Sequence, residues 1–324
     1  MLENLSYTIP TVGRIAIGEK QERASDGKML PKRLSHFNIT AQHKRDGSWV
    51  AHPVQKAVAA KMDCADDEIT EIPVKLMFNS PDLNMRERRE SYDNGRMMCA
   101  SCGNGKARRV SAKGYETVDC PGAEQMCAFA QSTSHGCELM GRLNVQIDVE
   151  TTGVREDVFS SFILRTRGYN SVRTLRSKLN GMAALFKNRL LGIPLVLKLR
   201  KKSSQLSRNT PFYYVDLVLA CAPVEAAKLS VAHENALLEA GLDQQAYEQA
   251  VFAGLANGPF EDTIEESVDL DEFLNVGNSS ETVAPEVPLA PMTISAEPSL
   301  PAFGLDMLRS VIESGARSSS EVAA

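Results

Sequence analysis

The sequence predicts an α+β protein built from mixed and antiparallel β-sheets. Three observations carry this. Residues 141–222 alternate and then turn helical in the order of a β-β-α-β-β unit. Five of the seven cysteines fall in one 39-residue window, which reads as a zinc-binding insertion. Residues 257–324 are rich in proline, serine and acid, the composition of a disordered tail.

Residues 1–98 read as a β-rich N-terminal part. Arg14–Gly18 alternates weakly between apolar and polar, and His36–Thr40 alternates well. The polar, basic stretch Gln21–Arg33 between them reads as a loop. Asp46-Gly47 marks a turn before Trp49 and Val50. Residues 53–62 have the pattern of a short helix and Ile72–Phe78 that of a strand. Met85–Met98 is charged and has neither period, so it reads as irregular chain.

The cysteine segment, residues 99–140, runs Cys99-x2-Cys102-x17-Cys120-x6-Cys127-x9-Cys137. Four thiolates around one ion make a closed structural zinc site, and a Cys-x-x-Cys pair on a tight turn is a common way to begin one. Three other readings compete: disulfides, which need an oxidising compartment; a redox pair, which would open a helix rather than precede Gly103-Asn104-Gly105; and chance clustering. One zinc takes four ligands and five cysteines are on offer. Spacing leaves either Cys99 or Cys127 as the spare, with His135 as a further candidate. All-cysteine ligation favours a structural zinc over a catalytic one.

Beyond the cysteines the pattern is clearer. Arg142–Asp148 alternates strictly, and Val158–Arg167 reads as a second strand. After the turn Gly168–Ser171, with Asn170 or Ser171 as cap, a helix is predicted over residues 172–189. Val172, Leu175, Leu179, Met182, Leu185 and Phe186 are its packed side. Leu195–Arg200 and Phe212–Leu219 are two more strands, joined by a polar, loop-like link over residues 201–210. Residues 223–256 read as one or two helices broken near Gly241. In the tail, Val268–Leu274 and Phe303–Ile312 are short apolar islands of a kind that docks on partners.

Charge is uneven along the chain. From Pro259 onward there are 13 Asp and Glu against Arg309 and Arg317, a net of −11, while the rest carries +6. Between Val158 and Val215 lie 12 Lys and Arg and no acid. The expectation is a positive face made by Arg165, Arg167, Arg173, Arg176, Lys198, Arg200, Lys201 and Lys202, with Tyr169 and Asn170 beside them. Such a face suits DNA or an acidic protein. Tyr213 and Tyr214 offer stacking surface, or are simply half-buried. The acidic tail is itself a candidate to screen this face, or to bind other proteins.

No stretch has the length and hydropathy of a membrane span, and Met1–Gly13 holds no signal-length apolar run. A cytoplasmic protein with reduced thiols is expected. Phosphate-binding loops, nucleophile elbows and zinc-protease motifs do not occur, and the five histidines form no set. A noncatalytic protein is expected; a zinc hydrolase would need a His or carboxylate ligand and an open metal position.

Several runs together resemble the recombination directionality factor-like proteins of phages and integrative elements. They are Gly13–Lys20, Cys102–Arg109, Cys120-Pro-Gly with Cys127, Cys137–Val145, Arg165–Leu175 and Thr210–Leu217. The resemblance covers roughly residues 11–220 and leaves out the tail. It implies a noncatalytic, DNA-associated accessory protein of a mobile element that binds a serine integrase and favours excision. It also implies Cys102, Cys120, Cys127 and Cys137 as ligands, with Cys99 the extra. The alternative is a nucleic-acid-binding protein in replication, transfer or transcription with a protein-recruiting acidic tail.

Overall fold

Strand β9 (Cys137–Ile147) organises the molecule. Its apolar positions Leu143, Val145 and Ile147 recur every second residue and are buried, so one face of the strand is committed to a core. A computed structural model describes residues 5–22, 29–94, 96–103, 105–122, 126–133, 136–149, 157, 159–203, 211–258 and 260. Two compact units divide the chain, Met1–Glu281 and Thr282–Ala324, and every described residue belongs to the first. Apart from Asn257, Gly258 and Phe260, the expected disordered tail with its two apolar islands lies outside the described residues, as do His135 and most of the link over residues 201–210.

The remaining elements, in chain order, are β1 (Thr11–Glu22), β2 (Met29–Arg45), β3 (Ser48–Ala51), α1 (Pro53–Met62) and β4 (Glu71–Lys75). Then come α2 (Pro81–Asn84), β5 (Met85–Asp93), β6 (Arg96–Gly103), β7 (Lys106–Ser111), β8 (Gly114–Asp119) and α3 (Ala128–Ser132). After β9 follow β10 (Ser161–Thr166), α4 (Tyr169–Leu185), β11 (Leu195–Lys202), β12 (Phe212–Leu219), α5 (Pro223–Glu239) and α6 (Gln244–Ala256). The strands run β3-β2-β1-β10-β9-β5-β6-β7-β8 in space. A branch β4-β11-β12 joins the far end of β9, where Val74 pairs with Ile147. Only β1 with β10 pairs in parallel among the described strands, so the fold is α+β with a mixed sheet.

The β-β-α-β-β unit is β9-β10-α4-β11-β12. Helix α4 lays Val172, Leu175, Leu179 and Met182 into the main core, as its spacing predicts. Gly141 permits the close approach: a Cβ there would stand 2.7 Å from Met85 Cε and 2.8 Å from Val172 Cγ2. Three details differ from expectation. The helix begins earlier, at Tyr169, with Gly168 as its N-cap, so neither Asn170 nor Ser171 caps it. The buried Ser171 hydroxyl accepts the Val215 N–H instead (3.0 Å), tying helix to strand. At the other end Lys187 and Asn188 take left-handed backbone (φ 55° and 57°), which stops the helix before residue 189 and leaves Leu185 exposed.

The charged stretch from Met85 is not irregular. It forms β5 and the start of β6, for a reason that becomes plain at the arginine face below. Strands β1 and β2 also extend into the expected loop at 21–33, pairing as far as Glu22 with Met29. Helices α5 and α6 flank a break at Gly241 (φ 71°). Helix α6 docks through Leu255, Val251 and Tyr247 on Ile9, Met77, Phe78 and Leu83. Its end also accepts the chain's beginning: Tyr7 N–H donates to Gly254 O (3.1 Å).

His52 caps α1. Its Nδ1 accepts the Val54 N–H (3.2 Å) and its ring stands edge-on to Phe162 at 4.9 Å. Burial disfavours the imidazolium and lowers the pKa below the usual value of about 6.5. The unfolded chain therefore takes up this proton first. The stabilisation is complete above about pH 6.5 and is lost as pH falls toward the folded value. Unfolding midpoints in urea between roughly pH 5 and 7 should fall more steeply for the natural chain than for His52→Asn, which keeps a capping acceptor without the titration. Parallel curves would refute this role.

Candidate functional site

Four cysteines converge on one pocket. Cys137, Ser91, Cys99 and Arg109 are direct cross-strand neighbours on β9, β5, β6 and β7, so they share a row and a face. Arg89, Ser101 and Ala107 extend the lining on the same side. Over this floor the chain brings Cys120-Pro121-Gly122 from the end of β8, and Cys127, Phe129 and Ala130 from the start of α3. The loop is pinned by Cys120 N–H to Gly105 O (2.7 Å) and by the Ser91 and Thr133 hydroxyls, 2.7 Å apart. Arg109 stacks over the Phe129 ring at 4.1 Å.

Cys99 therefore lines the pocket from the middle of a strand, not from a tight turn with Cys102. Register shifts between Ser101 and Gly103, which makes Cys102 the extra residue of a bulge. The Cys102 side chain lies outside the described ones. Gly103 (φ 77°) and Gly105 (φ 68°) then make the expected turn into β7.

The donor set is chemically apt for a soft cation. Cys99, Cys120, Cys127 and Cys137 are free thiols. Burial, opposed by Arg89 and aided by the neighbouring thiols, pushes the Cys137 thiol up to about 11. Burial likewise raises Cys99, against the hydrogen bond and charge of Arg109. A crowd of thiols ionises together only when a cation compensates. In the arrangement described, however, no three Cys, His, Asp or Glu side chains among the described residues stand close enough to grip one ion. The kind of donor fits zinc; a closed ligand shell is not present among the described side chains.

The basic residues expected to share one face separate into two groups. Arg165 is on β10 with Arg167 just beyond its end, next to Tyr169, Asn170, Arg173 and Arg176 of α4. Lys198, Arg200, Lys201 and Lys202 are on β11, in the branch. Acids from elsewhere in the chain reach several of them. Arg167 pairs with Glu138, Arg176 with Asp82 (2.6 Å) and Glu87, Lys198 with Glu71, and Arg200 with Asp216 (3.1 Å). Burial also lowers the pKa of Arg167, to about 10. Arg173, Lys201, Lys202, Tyr169 and Asn170 are exposed, while Tyr213 and Tyr214 are half-buried.

A different concentration of arginine lies on the sheet face opposite the cysteine row, and sequence reasoning missed it. Arg86, Arg142 and Arg165 are paired positions on β5, β9 and β10. Arg14 on β1 pairs with Ile163, two residues before Arg165, so it joins the same face. Arg88 follows Arg86 by two, and Arg108 on β7 lies opposite Ala100, itself opposite Glu90. Buried Arg142 makes a bidentate pair with buried Glu90 (2.7 and 2.8 Å), and Tyr92 OH donates to the same carboxylate (2.8 Å). Arg86 donates to Leu83 O (2.7 Å) and Asn144 Oδ1 (2.6 Å), and Asn144 in turn donates to Ser161 Oγ (2.6 Å). Arg14 stacks on Trp49 at 3.7 Å. The signal was present as arginine and glutamate at alternating positions of β5, but a strand whose alternating face is charged carries no apolar period.

A family model described as Gp3-like, recombination directionality factor-like, matches residues 12–220, more than half of the 324-residue chain. Among curated proteins and among solved structures nothing matches. The matched stretch runs from within β1 to just past β12. It contains the cysteine pocket and the arginine face, and leaves out α5, α6 and all that follows.

Proposed function

Since the chain belongs to the Gp3-like recombination directionality factor-like family, whose general role is accessory to recombination in phages and mobile elements, we propose that it binds a serine integrase and turns it from integration toward excision. The observation that carries this reading is the extent of the match, which takes in both faces of the sheet. The chain acts by binding rather than by chemistry on a substrate. Zinc, held by four of Cys99, Cys102, Cys120, Cys127 and Cys137, fastens the β8–α3 loop over the strands and supplies structure only. Convergence of four of these thiols on one pocket supports that assignment. Exposed Arg173, Lys201 and Lys202, with Tyr169 beside Arg173, are the contact residues for the integrase or for DNA it holds.

The test is an excision assay with purified large serine integrase from the same element, on paired left and right attachment sites. The chain should stimulate excision and suppress integration. Arg173→Glu with Lys201→Glu and Lys202→Glu should weaken binding to the integrase about tenfold or more, with unchanged melting. Absence of integrase binding, together with salt-dependent binding to DNA alone, would favour a replication, transfer or transcription role instead. Full activity of the triple variant would remove these residues from the interface.

A further inference from the structure

Two arginines share the pocket with the four thiols, and among its described lining residues there is no Asp or Glu. Arg109 on β7 is the direct cross-strand partner of Cys99 and donates a hydrogen bond to its sulfur. The Phe129 ring, 4.1 Å away, holds the guanidinium in place, and Arg109 Nε is buried with no hydrogen-bond partner among the described residues. Arg89 on β5 stands two residues before Ser91, so it shares the face of the row Cys137, Ser91, Cys99 and Arg109. Its charge is felt at Cys137, as that of Arg109 is felt at Cys99. The two cations therefore reach thiols on two different strands, β9 and β6.

This pairing has a reason in the charge of a metal–thiolate centre. Four thiolates on one divalent zinc leave two negative charges over, and in a partly buried pocket water screens them poorly. Two guanidinium groups cancel them. A hydrogen bond to a metal-bound sulfur also fixes the direction of that ligand. We propose that Arg89 and Arg109 are the counter-charges of the zinc centre: positioning residues that hold no metal themselves but set how tightly the pocket retains it. The proposal rests on the zinc reading above and extends it from the ligands to the groups behind them. It gives Arg109 a task beyond packing, since stacking on Phe129 alone asks for no charge.

The test is the zinc affinity of the full chain, measured by competition with a chromophoric chelator, together with the thiolate-to-metal absorption of the cobalt-loaded protein. Arg109→Gln should weaken zinc about tenfold, and Arg89→Gln with Arg109→Gln about a hundredfold. At saturating cobalt the absorption should keep its position, because the ligands are unchanged. Arg109→Lys should recover most of the loss, since it keeps the charge without the planar fork. Phe129→Leu, which removes the stacked ring and leaves both charges, should bind zinc within about threefold of the natural chain. Tight zinc binding that is indifferent to the double variant overturns the counter-charge role and leaves the zinc reading standing. Arg109→Lys as weak as Arg109→Gln overturns it too, because packing rather than charge would then be at work. A natural chain that takes up neither zinc nor cobalt ends the zinc reading and this proposal with it.

Discussion

Glu90→Gln lowers the stability of the fold by about 3–5 kcal/mol, the cost of removing one partner from a buried ion pair. Both side chains are 1% exposed, and the two carboxylate oxygens take both terminal nitrogens of Arg142. The amide keeps the shape and one acceptor but takes away the charged carboxylate that both terminal nitrogens of buried Arg142 grip. The loss is felt beyond the pair, since Arg142 sits directly between Arg86 and Arg165. Urea unfolding measures the effect. Glu90→Gln combined with Arg142→Met should recover part of it, because removing both charges leaves neither partner buried without the other. A single variant within about 1 kcal/mol of the natural chain would mean that water or another anion reaches Arg142 easily.

Cys120→Ser removes the proposed metal. Elemental analysis should fall from about one zinc per chain to almost none, and the β6–β8 strands with the loop to α3 should become sensitive to protease. The reason lies in how little else holds that loop. Its described anchors are one backbone bond to Gly105, a pair of hydroxyls and one arginine on a phenylalanine ring. Chelator treatment of the natural chain should reproduce both effects. Cys64→Ser and Cys221→Ser, outside the pocket, should change neither. Comparing Cys99→Ser with Cys102→Ser identifies the spare: the family resemblance favours Cys102 as ligand, whereas Cys99 is the one seen lining the pocket. Unchanged zinc and unchanged protease sensitivity in Cys120→Ser would end the structural-zinc reading.

Much of the fold was legible where burial follows the period of the element. Leu143, Val145 and Ile147 announce β9, and Val172, Leu175, Leu179 and Met182 announce the packed side of α4. Strand β5 was not legible, because Arg86, Arg88 and Glu90 occupy the positions where an apolar residue would mark a buried face. Burial of Glu90 and Arg86 depends on partners that no local pattern reveals: Arg142 for Glu90, Asn144 and Leu83 O for Arg86. The acid-free run from 158 to 215 misled for the same reason. Glu71, Glu87 and Glu138 lie outside it in sequence and reach it from strands β4, β5 and β9, and Asp82 reaches it from α2. The cysteine cluster was legible as a cluster, but strand register, not spacing, decides which sulfurs face one another.

The parallel pairing of β1 with β10 has a consequence for how the chain comes off the ribosome. Thr11 meets Ser161, so one edge of β1 waits for about 150 further residues to be synthesised before its partner exists. During that time β2 can already form its hairpin with β1, while the other edge of β1 stays open to wrong strands. The segment at Tyr7 waits longer, until Gly254 arrives. Folding of this body is therefore gated by synthesis of β10 and then of α6, and a nascent chain halted before β10 carries an open sheet edge prone to mispairing.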